Sequence, residues 1–285
     1  MSQPNKRKSA SKKKQGSTDD SRLRFPKNSH FVPGERAVTE LLRGGAERVL
    51  QILVESERSF PEIQSLLDGL ASEGAPRIEM QKTEKDQLEA LVGQGLARGL
   101  VAVAKPPKQW DLLELLQSLD AREDSKRRML VLLDEIVDPH NYGAIIRSAE
   151  FFGADGVVQT HDRSAPLSSA AVRASAGGSE RVPLAKVTNL CRALEECKSE
   201  GYWVVGTVVE GGQSIASLLE SNIPNKLVLV LGSEQKGLRV TTRRACDYLV
   251  TIEGSGSLGS LNVSSAAAAT MALLHQGNQA TSKRV

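Results

Sequence analysis

Apolar residues along this 285-residue chain follow two rhythms. Continuous runs such as 129–133 and 227–231 have strand length and the Val/Leu content of strands covered on both faces. Between the runs, apolar positions recur three and four residues apart, the spacing of one helical face. In the first third, Ala37, Val38, Leu41 and Leu42 share such a face. Strands are expected at 49–54 and 100–104 and helices at 63–70 and 88–92, with Pro106-Pro107 closing the unit. The pattern predicts a small α/β sandwich over 30–105. Leu112, Leu113, Leu115, Leu116 and Leu119 then mark an amphipathic helix running into the charged segment 122–128, so 106–128 reads as a linker. From 129 to 277, strands at 129–133, 156–159, 202–208, 226–231 and 248–252 alternate with helices at 142–152, 168–176, 190–198, 238–244 and 264–274. Strands alternating with crossover helices predict a parallel sheet that binds ligands at its carboxyl edge. Residues 278–285 read as a flexible end.

Charge changes this picture only when divided. Residues 1–29 carry nine basic and two acidic residues, a net +7, leaving 28 basic and 32 acidic residues, −4, in the rest. The tail is too poor in apolar residues to offset chain entropy and is expected to be disordered. It has no apolar core of a secretory signal, and it is Lys-rich rather than the Arg-rich helix of an organelle presequence. It reads either as a solubilising tail or as a loose phosphate-binding arm. Nucleic acid bound by the acidic body must be met by local basic patches. His30, at the edge of the tail, is expected to be solvated. No apolar run is long enough for a membrane span. Cys191, Cys197 and Cys246 form no C-x-x-C pair, which argues against a disulfide framework or zinc site and fits a reducing compartment.

Candidate chemistry gathers in three strand-ending loops. The first runs from Asp138 to Arg147, with Asn141 as the expected helix cap and Gly143 admitting a close neighbour. The second is Gly232-Ser233-Glu234-Gln235-Lys236-Gly237, where Gly232 follows a strand directly and Glu234 has the choice of the helix dipole or Arg147. The third surrounds Ser260-Leu261-Asn262-Val263-Ser264. Just before it, Gly254, Gly256 and Gly259 spell G-x-G-x-x-G. No Asp or Glu follows Glu253, and only about one helix of chain remains, so a dinucleotide-binding unit is excluded. Each loop alone is equally well a capped turn.

Together, N-x-G-x-x-x-R at 141–147, G-x-E-x-x-G at 232–237 and S-L-N-V-S at 260–264 closely resemble the SPOUT-class SpoU/TrmH family of RNA ribose 2′-O-methyltransferases. The similarity extends from 129 to about 275. The segment from Pro33-Gly34-Glu35-Arg36 to Gly99-Leu100-Val101-Ala102 looks like the substrate-binding domain of the large-subunit rRNA guanosine methyltransferases of that family. The resemblance implies an α/β fold with a deep trefoil knot in a parallel-sheet C-terminal domain and a small ribosomal-protein-like N-terminal domain. It implies S-adenosylmethionine as cofactor, with Gly232, Ile252, Leu261, Thr207, Gly206 and Ser260 around it. It implies catalysis by Arg147 with Asn141, Glu234 and Asn262, no metal, and a homodimer with the site at its interface. A guanidinium is a poor general base, so Arg147 is expected to clamp the target phosphate, held by Asn141 and Glu234. Arg163, Arg173, Lys236 and Arg239 are the expected RNA contacts, with Arg243 and Arg244 further candidates. The expected location is a bacterial-type cytoplasm, an organelle being the alternative. The competing readings are the same chemistry on tRNA and a non-catalytic RNA-binding or ribosome-assembly protein. The chain departs from its relatives at Glu253-Gly254, where they carry Pro-Met, and at Arg36 and Ala97, where they often carry His.

Overall fold

The computed structural model describes residues 23–122, 127–220 and 224–282. Most of the basic tail and of the charged segment after 122 therefore lies outside the described residues. The tail's last residues, Leu23 and Phe25, pack against apolar neighbours, with Phe25 edge-on to Phe31 at 5.8 Å.

The N-terminal unit is a four-stranded sheet in the order β1 (His30–Pro33), β4 (Leu100–Ala104), β2 (Val49–Glu55), β3 (Met80–Thr83). Helices α1 (Glu35–Gly45) and α2 (Pro61–Ser72) contribute to one apolar cluster and α3 (Lys85–Val92) to another. The short strands β1 and β3 escape the sequence pattern because four residues give too few repeats to register.

The second sheet has eight strands, all parallel. Its order is β10 (Gln213–Ser214), β12 (Tyr248–Thr251), β9 (Trp203–Thr207), β11 (Lys226–Gly232), β6 (Arg128–Asp134), β7 (Gly156–Thr160), β8 (Leu184–Val187) and β5 (Gln109–Trp110). The two-residue alternation of a strand is visible in β6. Met129, Val131 and Leu133 face one apolar cluster, and Leu130 and Leu132 face the other. The first cluster is closed by α5 (Pro139–Phe151), α8 (Ile215–Glu220) and α10 (Val263–Ser282). The second is closed by α4 (Leu112–Asp120) and α7 (Leu190–Ser199). The expected linker helix is therefore built into this three-layer domain, with Asp111 capping it through Leu113 N and Glu114 N. Helix α10 continues past 277 to Ser282.

The two sheets are joined by more than chain continuity. Val172 of α6 (Ser169–Ser175) is buried in the N-terminal domain's core cluster. Glu180, its carboxylate fully buried, binds His30 at 3.1 Å and Arg48 at 2.6 Å. His30 is thus a buried interdomain contact and not a solvated edge residue. Its partner lies 150 positions away, beyond the reach of local pattern.

Candidate active site

Three loops meet at the carboxyl edge of the large sheet. Asp138, not Asn141, caps α5, accepting from His140 N and Asn141 N, and Pro139 takes the first helical position. That correction frees the Asn141 side chain for another task. Its Nδ2 donates to Glu234 Oε1 at 2.6 Å, and its Oδ1 accepts from Asn262 Nδ2 at 3.1 Å. Asn262 Nδ2 also reaches Glu234 Oε1 at 2.6 Å. Asn262 Oδ1 meanwhile accepts from Ser264 N at 2.8 Å and from Ser264 Oγ at 2.6 Å, capping α10. One residue from each loop thus closes a hydrogen-bonded triangle. Glu234 and Asn262 are exposed at its open side, while Asn141 is buried.

Beside the triangle is a cleft of about 410 Å³ lined by the ends of β9, β11 and β12 and by the last loop. Thr207, Gly232, Ile252, Ser260 and Leu261 all line it, together with Lys236. Gly206 stands one step back in β9, where a Cβ would collide with Cys246 Sγ at 2.6 Å and Leu238 at 2.8 Å. The absent side chain of Gly232 is occupied by its own loop rather than by open space. A Cβ there would lie 2.3 Å from the Gly237 carbonyl carbon, because Ser233 and Gly237 exchange two backbone hydrogen bonds. Thr251, which also lines the cleft, has a buried hydroxyl without a hydrogen-bond partner among the described residues. Sequence reasoning missed this residue, since a strand-end Thr carries no motif. Gly254, Gly256 and Gly259 face open space, as an accidental glycine fingerprint would.

Arg147 is not held by Asn141 and Glu234. Six residues of helix turn it about 240° away from Asn141. It is exposed, and among the described residues it has no ion pair. It lines a second cleft, between the domains, with Arg36, Arg58, Arg98, Arg173 and His140. The close neighbour that Gly143 admits is α6, whose Ala171 carbonyl oxygen would lie 2.3 Å from a Cβ at position 143. This crossing sets Arg173 at the second cleft, where its Nη1 donates to Leu96 O at 2.8 Å. Burial first, and then the neighbouring Arg98 charge, lower the pKa of Arg173.

The other expected RNA contacts divide. Arg239 is bound to the fully buried carboxylate of Asp134 through both its backbone N, at 3.0 Å, and its Nε, at 2.6 Å. It fastens the second loop to the end of β6, a structural use that the sequence did not reveal. Arg163 pairs with Glu135 at 3.0 Å but stays three-quarters exposed. Arg243 donates to Glu210 O beside the first cleft. Of the two departures in the N-terminal domain, Arg36 lines the interdomain cleft and Ala97 is buried core. Among the described residues there is no cluster of metal-ligating side chains and no helix long and apolar enough to cross a membrane.

Comparison with known proteins places this arrangement. The SpoU rRNA Methylase family matches residues 128–272, and the RNA 2′-O ribose methyltransferase substrate-binding family matches residues 31–110. The 23S rRNA (guanosine-2′-O-)-methyltransferase RlmB of Pseudomonas putida is 38% identical over 233 residues, covering 82% of this chain and 90% of that protein. Its counterpart in Escherichia coli K12 is 35% identical, covering 83% and 93%. Among solved structures, the SpoU methyltransferase AviRb of Streptomyces viridochromogenes in complex with AdoMet aligns with a TM-score of 0.70 at 24% identity, covering 88% of this chain and 91% of that one. The AdoMet-bound rRNA methyltransferase of Sinorhizobium meliloti aligns with a TM-score of 0.65 at 21% identity, covering 87% of each chain. At these identities the structural likeness speaks for the fold alone. The α/β fold with its parallel sheet, the three motif loops and the matches over both domains agree: the chain is a member of the SpoU rRNA methylase family.

Proposed function

We propose that this protein methylates the 2′-hydroxyl of a guanosine ribose in large-subunit rRNA, using S-adenosylmethionine. The observation that carries the reading is the Asn141–Glu234–Asn262 triangle, formed by the three motif loops at the mouth of the cleft. The cleft suits the cofactor. Parallel strands end there, Gly232 and Thr207 line it without bulky side chains, and the Thr251 hydroxyl, without a partner among the described residues, offers one polar contact. When bound, the cofactor supplies an electrophilic methyl group on a sulfonium. The protein's own residues then have three tasks: to align the hydroxyl, to receive or pass on its proton and to exclude water. Glu234 fixes both amides through one oxygen, which locks Asn262 and the last loop over the cleft. Arg147 clamps the phosphate next to the target ribose and lowers the hydroxyl's pKa, so the proton leaves to phosphate or solvent.

In one chain Arg147 and the triangle sit at different clefts, and this supports a homodimer in which a second copy brings its Arg147 to the first cleft. Exposed apolar side chains at Val137, Leu258 and Leu261 flank these loops and are suited to burial by that copy. The deep knot belongs to the same proposal. Strand β12 lies between β9 and β10, and the chain after it passes the Ser233–Gly237 loop before α10 returns to pack on α5. The domain division proposed is 30–105 for RNA binding and 129–277 for catalysis, with β5, α4 and the end of α10 joined to the latter, in a bacterial-type cytoplasm, the named relatives being bacterial proteins. Methylation of tRNA is the second enzymatic reading, and the substrate-binding domain weighs against it.

Mapping 2′-O-methylated positions in 23S rRNA from cells with and without the gene tests the proposal. One guanosine should lose its methyl group. An unchanged rRNA map would reject the rRNA substrate. Failure of S-adenosylmethionine to raise the Tm would reject the enzymatic reading altogether.

A further inference from the structure

The cleft between the domains, about 530 Å³ in volume, has an unusual wall. Five arginines enter it from separate elements: Arg36 on α1, Arg58 after β2, Arg98 before β4, Arg147 on α5 and Arg173 on α6. Against them stands Glu35 within the cleft, and Glu55 nearby, which holds Arg58 Nε at 3.1 Å. Among the described residues Arg36, Arg98 and Arg147 have no ion pair. This concentration of positive charge occurs in a body whose net charge outside the tail is −4. Five like charges crowded against so few carboxylates are destabilising unless an anion joins them.

Two further features show that the wall is built. Arg98 is held at φ 47, a left-handed conformation disfavoured for a side chain with a Cβ. The adjacent Gly99 has φ 81, so the chain uses an arginine in a turn where glycine would be relaxed. The cleft's width is also fixed from behind. The buried Glu180 ties His30 and Arg48 of one domain to the other, and Arg181 pairs with Glu40 at 2.8 Å.

We propose that this cleft is a track for the phosphodiester backbone of single-stranded RNA, gripped by both domains at once and leading to Arg147. It rests on the reading of the protein as an RNA methyltransferase and adds the surface along which the substrate enters. Guanidinium groups suit it because their planar forks grip phosphate oxygens in pairs. Spread over two domains, they suit a flexible, unpaired strand that can bend into a recess, and protein recognition of RNA in general favours such unpaired segments.

The test compares the full-length protein with Arg36→Ala/Arg98→Ala and with Arg98→Gly. A fluorescently labelled 15-nucleotide single-stranded RNA serves as the probe, titrated at several salt concentrations, and S-adenosylmethionine binding is measured in parallel. Each arginine removed should weaken RNA binding roughly 10-fold, the scale of a lost charged hydrogen bond. The double variant should flatten the slope of log K against log salt by about 1.4, two phosphate contacts' worth for a single strand. S-adenosylmethionine affinity should stay unchanged. Arg98→Gly should keep or raise the Tm, because glycine relaxes the turn, while still losing RNA affinity.

Unchanged RNA affinity and salt slope in both variants would overturn the track. So would a loss in Arg98→Gly that only accompanies a lower Tm. A parallel assay of methyl transfer to a 23S rRNA transcript by the unaltered protein separates the two proposals. Transfer with variant-insensitive RNA binding rejects the track and leaves the enzymatic reading standing. No transfer rejects that reading, and the salt slope still decides the track.

Discussion

The two clefts of this molecule are made of opposite materials. The one at the carboxyl edge of the large sheet is walled largely by strand ends, glycine and small hydroxyl residues, and the Glu234 carboxylate at its mouth is committed to two amides. It belongs to a single domain. The one between the domains is walled by guanidinium groups on long side chains and exists only while both domains are docked. The first kind of wall suits a compact ligand met by backbone, where specificity comes from shape and a few fixed dipoles. The second suits a polyanion, where affinity comes from charge and falls with salt. On this assignment cofactor and polymer binding are expected to be separable by mutation, although one reaction needs both.

The largest expected effect tests that separation from the docking side. Glu180→Ala leaves His30 and Arg48 without their shared buried carboxylate, and breaking such a group costs about 3–5 kcal/mol. Denaturant unfolding should show this loss, with RNA affinity falling and cofactor affinity retained. Equal loss of both affinities would mean that the clefts are one cooperative unit. Acid probes the same contact. Burial pushes the Glu180 carboxyl up, but the hydrogen bond and charge of His30 and the Arg48 pair outweigh it and hold its pKa below the ordinary 4.5. Its stabilising contribution is therefore present above pH 4.5 and is lost as pH falls through the lowered value. The Tm of the parent should drop across that window, and that of Glu180→Ala should drop less.

Arg147→Ala comes next. Turnover should fall roughly 10²-fold, the scale of a lost acid–base or charge partner, while S-adenosylmethionine still binds. Unaltered turnover would remove Arg147 from the mechanism. The smallest effect lies in the other cleft. Thr251→Val should weaken cofactor binding roughly 3- to 10-fold, one neutral hydrogen bond's worth, and leave the RNA salt slope alone. Titration calorimetry with the cofactor decides this, since a hydroxyl unused by ligand would make the substitution neutral or stabilising.

How much of this was legible in the sequence depends on how local the signal was. The alternation of strand and helix from 129 onward was visible because runs such as Leu227 to Leu231 repeat the same apolar chemistry over several residues. The motif loops were visible because Asn141, Glu234 and Asn262 stand at fixed offsets from glycines and strand ends. Their mutual contact was not, since Asn141 and Asn262 are separated by 121 positions. Cap competition misled the reading of α5: Asp138 and Asn141 are both good caps, and only the fold shows which one is left free. Arg239 illustrates a second limit. Its charge suggested RNA, yet a buried carboxylate 105 residues earlier claims it. Edge elements such as β5 and β10 are two residues long and owe their existence to neighbouring strands rather than to their own composition.

The place of β12 has a consequence for synthesis. The last strand in sequence lies between β9 and β10 rather than at the rim of the sheet. All four strands of the first sheet have left the ribosome by residue 104, and its core awaits only Val172 of α6. The catalytic half must instead keep a gap open for some thirty residues after β10, until Tyr248–Thr251 arrives to fill it. A chain released before Asn262 has no triangle at all, and a stalled product would carry RNA-gripping arginines without the means to act on what they hold.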